Sequence, residues 1–320
     1  MPHASATDIH WGEEADPAQA GPRVSTLELF FDLVFVYTLT QLTELLAHEL
    51  SVAGFVRVLL IFGVSWWMYG GYAWLTNHLP LDRPARRVTL LLAMAAFLVQ
   101  ALAIPRAFDG SGLAFGVGYL AVVLVHASLF WQATRAIGAT AAFNVGSALL
   151  VIVAGFTHGW LDYVFWMAAL AVQVATPFLI RLEAFRIRPA HFVERHGLLM
   201  IVALGESVVA IGIGARELAI DAGLVTAVVL GVALVACLWW TYFGGDDALA
   251  EHALSNTSVE ARAGMAIHAF FYAHIPMLLG VVCIAVGVKK ALAHPTDPLA
   301  LAPAIALGGG TALYMLGDVL

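Results

Sequence analysis

The sequence predicts an all-α integral membrane protein of about ten transmembrane helices, and three observations predict it. Hydrophobic residues fill 61% of the 320 positions and charged residues only 12%, whereas a soluble globular domain is about half apolar and about a quarter charged. The mean hydropathy is strongly positive. The apolar residues also gather into runs of about 20, the helix length that crosses a hydrocarbon core of roughly 30 Å. Only a helix satisfies its own backbone polar groups in such a core without a closed barrel.

Taken in order, the spans cover 24–47, 54–77, 86–105, 113–134, 139–157, 160–183, 195–216, 222–244, 261–288 and 299–320. The turns between them are short and carry Gly, Pro, Asp and His, as in NHLPLDRPARR at 77–87 and FDGSG at 108–112. Residues 1–22 are polar, acidic and rich in Ala, Pro and Gly. They lack the basic start, short apolar core and cleavage site of a signal peptide and read as a disordered cytoplasmic tail. The last span ends in LYMLGDVL with no basic or aromatic anchor beyond it, which suggests a fragment of a longer chain.

Basic residues set the expected orientation. Arg23, Arg83, Arg86, Arg87, Arg135, Arg181, Arg186, Arg188, Arg195 and Arg262 fall on the side of the N-terminus, against Arg57, Arg106, Arg216, Lys289 and Lys290 on the other. This bias places the N-terminus in the cytoplasm of a bacterial inner-membrane protein. The net charge of -7 comes mostly from the tail and the loops. No basic patch or nucleic-acid motif accompanies it. Cys237 and Cys283 lie inside apolar runs and make no CxxC or zinc spacing, so they read as small core residues. No cofactor fingerprint, metal-ligand spacing or set of catalytic residues is present.

An internal repeat is the next expectation. SWWMYGGY in the second span and LWWTYFGGD in the eighth place Trp66 and Trp239 173 positions apart, and Asp32 and Glu206 fall 174 apart. Gln100 and His274 occupy matched positions at the same offset. Spans 1, 2 and 3 thus resemble spans 7, 8 and 9. Six spans per unit is even, so the two units cross in the same sense as parallel repeats. Residues 23–190 form the first unit on this reading, and 191–320 a second, truncated one.

The chemistry lies in acids within apolar helices. Asp32 sits about eight residues into span 1, roughly 12 Å along it, and Glu206 lies deeper in span 7. A charged acid there costs a few kcal/mol and must pair, face water or take up a proton. On the functional reading, Asp32 and Glu206 face each other across the repeat axis and bind a cation or proton, with Glu28, Ser207, Gln41 and His274 as polar partners. On the structural reading, each acid bonds a local group and fixes packing. Glu28 lies one turn before Asp32 on the same helix face, near Arg23, and reads as one half of an interfacial ion pair. In ERHG, Glu194 to Gly197, Arg195 and His196 could bind a headgroup, or Arg195 could pair with Glu194.

The pairing of ELFFDLVFVYTLTQL with ERHGLLMIVALGESVVAIG resembles the bacterial low temperature requirement A (LtrA) family, from about residue 23 to the end. The matching positions are Glu28, Phe31, Asp32, Glu194, Arg195, Gly205, Glu206 and Ser207. The resemblance implies a polytopic inner-membrane protein linked by name to growth in the cold, and it brings no reaction or substrate. The FFD of span 1 is also similar to the Phe-Ser-Asp motif of the lysosomal potassium channel family, with Phe31 in place of the serine. The expected function is a transporter or channel for a small solute or ion, coupled to protons and embedded in the lipid bilayer, with a homo-oligomer as a possible assembly. The alternatives are a membrane-embedded enzyme or lipid-handling protein, and a non-catalytic membrane scaffold or sensor.

Overall fold

The computed structural model describes residues 24–131, 138–179, 187–216, 218–293 and 297–320. The tail at 1–22, Arg23, Arg135, Arg181, Arg186 and the C-terminal ends of the fourth and sixth expected spans lie outside the described residues. Every one of the ten apolar runs falls on helix. The helices are α1 Thr26–His48, α2 Val52–His78, α3 Pro84–Leu102, α4 Gly112–Trp131, α5 Gly138–Ala154, α6 Trp160–Leu179, α7 Pro189–Ala215, α8 Ala222–Phe243, α9 Asp246–Asn256, α10 Val259–Ala266, α11 His274–Ala293 and α12 Leu301–Val319. Among the described residues, eight helical stretches are long and apolar enough to cross a membrane. The expected fifth and tenth spans are α5, at 17 residues, and α12, at 19.

Local chemistry starts these helices where the sequence places them. Ser25, Ser51, Asp221 and Ser258 each cap a helix by accepting a backbone N–H. Pro84 and Pro189 open α3 and α7, where a missing N–H is harmless.

Two local features escape the hydropathy pattern. α9 is a polar helix between the eighth and ninth spans, and it seats Leu254 and Ala250 on a small cluster containing Ile187, Phe192 and Val193. The ninth run is broken into α10, a π-helical turn at Ile267–Tyr272, and α11. Pro276 gives the reason. It has no N–H to offer the Tyr272 carbonyl, and its ring crowds that group. The chain widens just before it, and Ala273 N donates to His268 O at 3.1 Å, five residues back.

Side-chain contacts fix the directions. Near one end Glu28 and Asp32 of α1 meet Arg195 of α7, and near the other Thr40 and Glu44 lie beside Glu206. α1 and α7 therefore run parallel, as two six-span units in the same sense require. α11 runs with them, since His196 meets His274 edge to face and Gly214 lies against Lys289 and Leu292. α12 returns antiparallel along α11 through Gly280, Gly287, Gly310 and Gly317, small residues that let helix backbones touch. α11 is the central helix of the bundle, whereas α8 is largely exposed, which is where lipid would lie.

The two tryptophan motifs occupy different surroundings. Trp66 is buried and donates its indole N–H to Phe271 O at 3.0 Å, and Trp67 donates to Asn144 Oδ1 at 3.1 Å. Trp239 and Trp240 are 43% and 72% exposed.

Candidate functional site

The site begins with the N-terminus of α1. Ser25 and Glu28 form a capping box, with Glu28 Oε2 accepting from Ser25 N at 2.9 Å and from Ser25 Oγ at 2.8 Å. Helical geometry then puts Glu28 and Asp32 one above the other on one face. His191 and Arg195 have the same spacing on α7, and both offer hydrogen-bond donors to the acids. α2, antiparallel to both, contributes Tyr69, Thr76 and Asn77.

Arg195 is the hub. Its Nη1 donates to Glu28 Oε1 at 2.9 Å and to Thr76 Oγ1, and its Nη2 donates to Asp32 Oδ1 at 3.0 Å. The guanidinium lies 5.7 Å from the Phe31 ring centre and 5.8 Å from that of Tyr69, within cation–π reach. Tyr69 donates its hydroxyl to the same Asp32 oxygen at 2.9 Å. Glu28, Asp32 and Arg195 are 4%, 0% and 1% exposed, so all three charges are out of contact with solvent. Among the described residues, Asp32 Oδ2 and Arg195 Nε have no hydrogen-bond partner.

His191 completes the cluster, and Asn77 decides its state. Arg188 N donates to Asn77 Oδ1 at 3.0 Å, which identifies the other amide atom as the nitrogen. That nitrogen reaches Arg188 O and His191 Nδ1, both at 3.2 Å. His191 Nδ1 is then an acceptor, and the ring hydrogen sits on Nε2, 3.3 Å from Glu28 Oε1. A neutral His191 leaves two carboxylates facing one guanidinium. The cluster lacks one positive charge, and the unpartnered Asp32 Oδ2 marks where it is missing. Buried ion pairs hold only when geometry and extra hydrogen bonds offset desolvation, and here Tyr69, Thr76 and the Ser25 cap supply those bonds. Replacing Ser25 with alanine removes one of them and the helix cap together. It is expected to lower stability by about 1 kcal/mol, read as a fall in the thermal unfolding midpoint in detergent.

Of the sequence-predicted residues, the fold brings Glu28 and Asp32 together. It does not bring Glu206 to them. Glu206 is half-buried beside Thr40 and Glu44, and Glu44 in turn meets Lys289 at 2.6 Å. Asp32 and Thr40 are eight residues apart on α1, about 12 Å, so the two acids sit at different levels of the bundle. Ser207 is buried and Gln41 half-buried. His274 is buried elsewhere, 3.1 Å from the Tyr242 hydroxyl. Glu28 pairs with Arg195, while Arg23, its neighbour in the sequence reading, lies outside the described residues; Glu194 accepts from Val24 N at 3.0 Å rather than pairing with Arg195. Tyr69, Thr76, Asn77 and His191 escaped the sequence reading. The matched i,i+4 spacing of two acids on α1 and two basic side chains on α7 was the signal for His191.

A bundle of apolar helices that encloses two carboxylates around one arginine defines a polytopic membrane protein with an intramembrane polar network. The chain belongs to the bacterial low temperature requirement A protein (LtrA) family, whose sequence profile matches residues 23–320. It is similar to Uncharacterized protein RA0937 of Rhizobium meliloti (strain 1021), with 30% identity over 97% of this chain and 79% of that protein. No solved structure matches the chain.

Proposed function

We propose that this protein is a non-enzymatic, proton-coupled transporter of a small solute, set in the bacterial inner membrane with its N-terminus in the cytoplasm. The observation that supports it is the missing positive charge at Asp32. A cluster built only to fasten helices is most stable with its charges matched. One with a surplus carboxylate, a free oxygen and no solvent contact is relieved by taking up a proton, and releasing that proton forces its surroundings to rearrange. Proton uptake of this kind, tied to a change of shape, is what coupling requires. The groups facing Asp32 are Glu28 on its own helix, Arg195 from α7 and Tyr69 from α2.

The test is proton movement in proteoliposomes with a pH-sensitive dye inside, under an imposed pH gradient. A panel of amino acids, sugars, organic acids and monovalent cations is added in turn. The wild type is expected to move protons when its solute is present. Asp32→Asn, which keeps the shape and cannot carry the proton, is expected to reduce that movement at least tenfold. Equal proton movement by the two proteins would remove Asp32 from coupling. No movement beyond empty liposomes with any solute would remove the transport reading. The low temperature requirement in the family's description offers a cellular readout. A strain lacking the gene is expected to grow poorly in the cold and to be rescued by the wild type but not by Asp32→Asn.

A further inference from the structure

The outer face of α1 and α7 is polar at a depth where lipid calls for apolar side chains. On α1, Tyr37, Thr40, Gln41 and Glu44 fall at helical spacing on one side, Glu44 exposed and the others half-buried. α7 lies parallel beside it and adds half-buried Glu206, with Gly205, Val209 and Gly212 on its exposed side. Tyr37 is the middle residue of α1, and Gln41 and Glu206 each lie four residues past the middle of their helices, about 6 Å. The hydrocarbon core extends about 15 Å on either side of its centre, so all three fall within it.

The chain does not satisfy these groups by itself. Among the described residues, the Tyr37 hydroxyl and the Gln41 amide make no hydrogen bond. Thr40 Oγ1 donates to Val36 O at 3.4 Å. Glu206 has Thr40 and the like-charged Glu44 beside it and, among the described residues, no cation, since Lys289 is held by Glu44 at 2.6 Å. Acyl chains offer such groups nothing, and a carboxylate or amide turned to hydrocarbon is costly. A face suited to lipid looks different: α8 exposes Val225, Val229, Leu230 and Val232.

We infer that this face is covered by the same face of a second copy of the chain, in a dimer whose two-fold axis runs along the membrane normal. Copies inserted in the same sense form a closed pair about such an axis, and an isologous contact brings identical patches together at identical depth. The patch is complementary to itself. The glutamine amide is both donor and acceptor, so the two Gln41 side chains can pair reciprocally, and the Tyr37 hydroxyl carries a hydrogen that a Glu206 carboxylate accepts. The backbone is open to a close neighbour, since a Cβ at Gly205 or Gly212 would meet nothing within 4 Å. Small residues of this kind let helices of two copies approach. Assembly is measured without flux, so the dimer stands or falls separately from the transport reading.

Single-molecule photobleaching of dye-labelled protein, diluted stepwise in liposomes, tests it and gives the dissociation constant. The wild type is expected to bleach in two steps. Gly212→Trp, for which the single chain has room, is expected to be monomeric with an unchanged thermal midpoint. Gly308→Trp, at an equally open glycine on α12, is expected to stay dimeric. Gln41→Leu with Glu206→Leu makes the face fit for lipid and is expected to raise the dissociation constant at least tenfold. If Gly212→Trp fails to fold, cross-linking decides. In a Cys237→Ala, Cys283→Ala background, Val209→Cys is expected to be joined to its partner by a short bismaleimide in membranes, and Val229→Cys on α8 is not. A monomeric wild type overturns the assignment and leaves lipid or another protein as the cover. So does a folded Gly212→Trp dimer, a monomeric Gly308→Trp, an unchanged constant in the double leucine variant, or cross-linking at Val229 and not at Val209.

Discussion

Replacing Arg195 with methionine is expected to destabilise the protein by about 3–5 kcal/mol, the range for removing one partner of a buried ion pair. The variant leaves Glu28 and Asp32 enclosed with no cation, and Thr76 loses its donor. Whole-protein stabilities are about 5–15 kcal/mol, so the loss is a large share of the total. It is measurable as a fall in the thermal midpoint or loss of the monodisperse peak in detergent. The size of the effect reflects stranded charge rather than missing contacts, and that distinction can be tested. A triple variant, Arg195→Met with Glu28→Gln and Asp32→Asn, removes all three charges and is expected to recover most of the stability. Arg195→Lys is expected to fall in between, because a single ammonium cannot span Glu28 Oε1, Asp32 Oδ1 and Thr76 as the planar guanidinium does. A methionine variant as stable as the wild type would mean that the network contributes nothing net to the fold.

The second large effect is expected where α11 meets α12. A Cβ at Gly310 would sit 2.7 Å from Cys283 Cβ, 2.8 Å from Gly280 O and 2.9 Å from Ile284 N. One at Gly280 would sit 2.6 Å from Gly310 O and 2.8 Å from Tyr314 N. These neighbours are mostly backbone, which cannot swing aside. Gly310→Val is therefore expected to lift α12 from α11 at an overpacking cost of about 1–3 kcal/mol. The shift would also break the hydrogen bond from the Tyr314 hydroxyl to Leu238 O, at 3.0 Å. Cys283, buried beneath Gly310, reports the opening. Maleimide labelling of Cys283 in detergent is expected to rise about tenfold, with exposed Cys237 as the internal control. Gly309→Ala is the contrasting substitution. Its Cβ would have a single neighbour, at 4.0 Å, so labelling should not change and helix propensity favours alanine. Unchanged Cys283 labelling in Gly310→Val would contradict the close helix contact.

The helices were legible because the forces that set them are local. An apolar run of bilayer length must satisfy its own backbone, and Ser25 with Glu28 three residues later is a start signal readable in one line of sequence. The π-helical turn was less legible. Pro276 announced a disturbance, but its form depended on which neighbours could take up the freed groups. α9 was missed because it carries little hydropathy signal and owes its place to contacts of Ala250 and Leu254 with residues some 60 positions away.

By itself, the sequence determined an all-helical membrane protein, the place of its ten apolar helices and the presence of acids inside them. Only the tertiary structure decided what those acids meet. Glu28 and Arg195 are 167 residues apart in the chain, and Asp32 and Arg195 are 163 apart. Hydropathy and helical period report what a residue's own segment prefers, and they do not say which face of which other helix lies across from it. A carboxylate in an apolar run reads the same whether its partner is lipid, water, a matching acid or an arginine. Packing of α1, α2 and α7 selected the arginine for Asp32, and left Glu206 about two to three turns away along the same pair of helices.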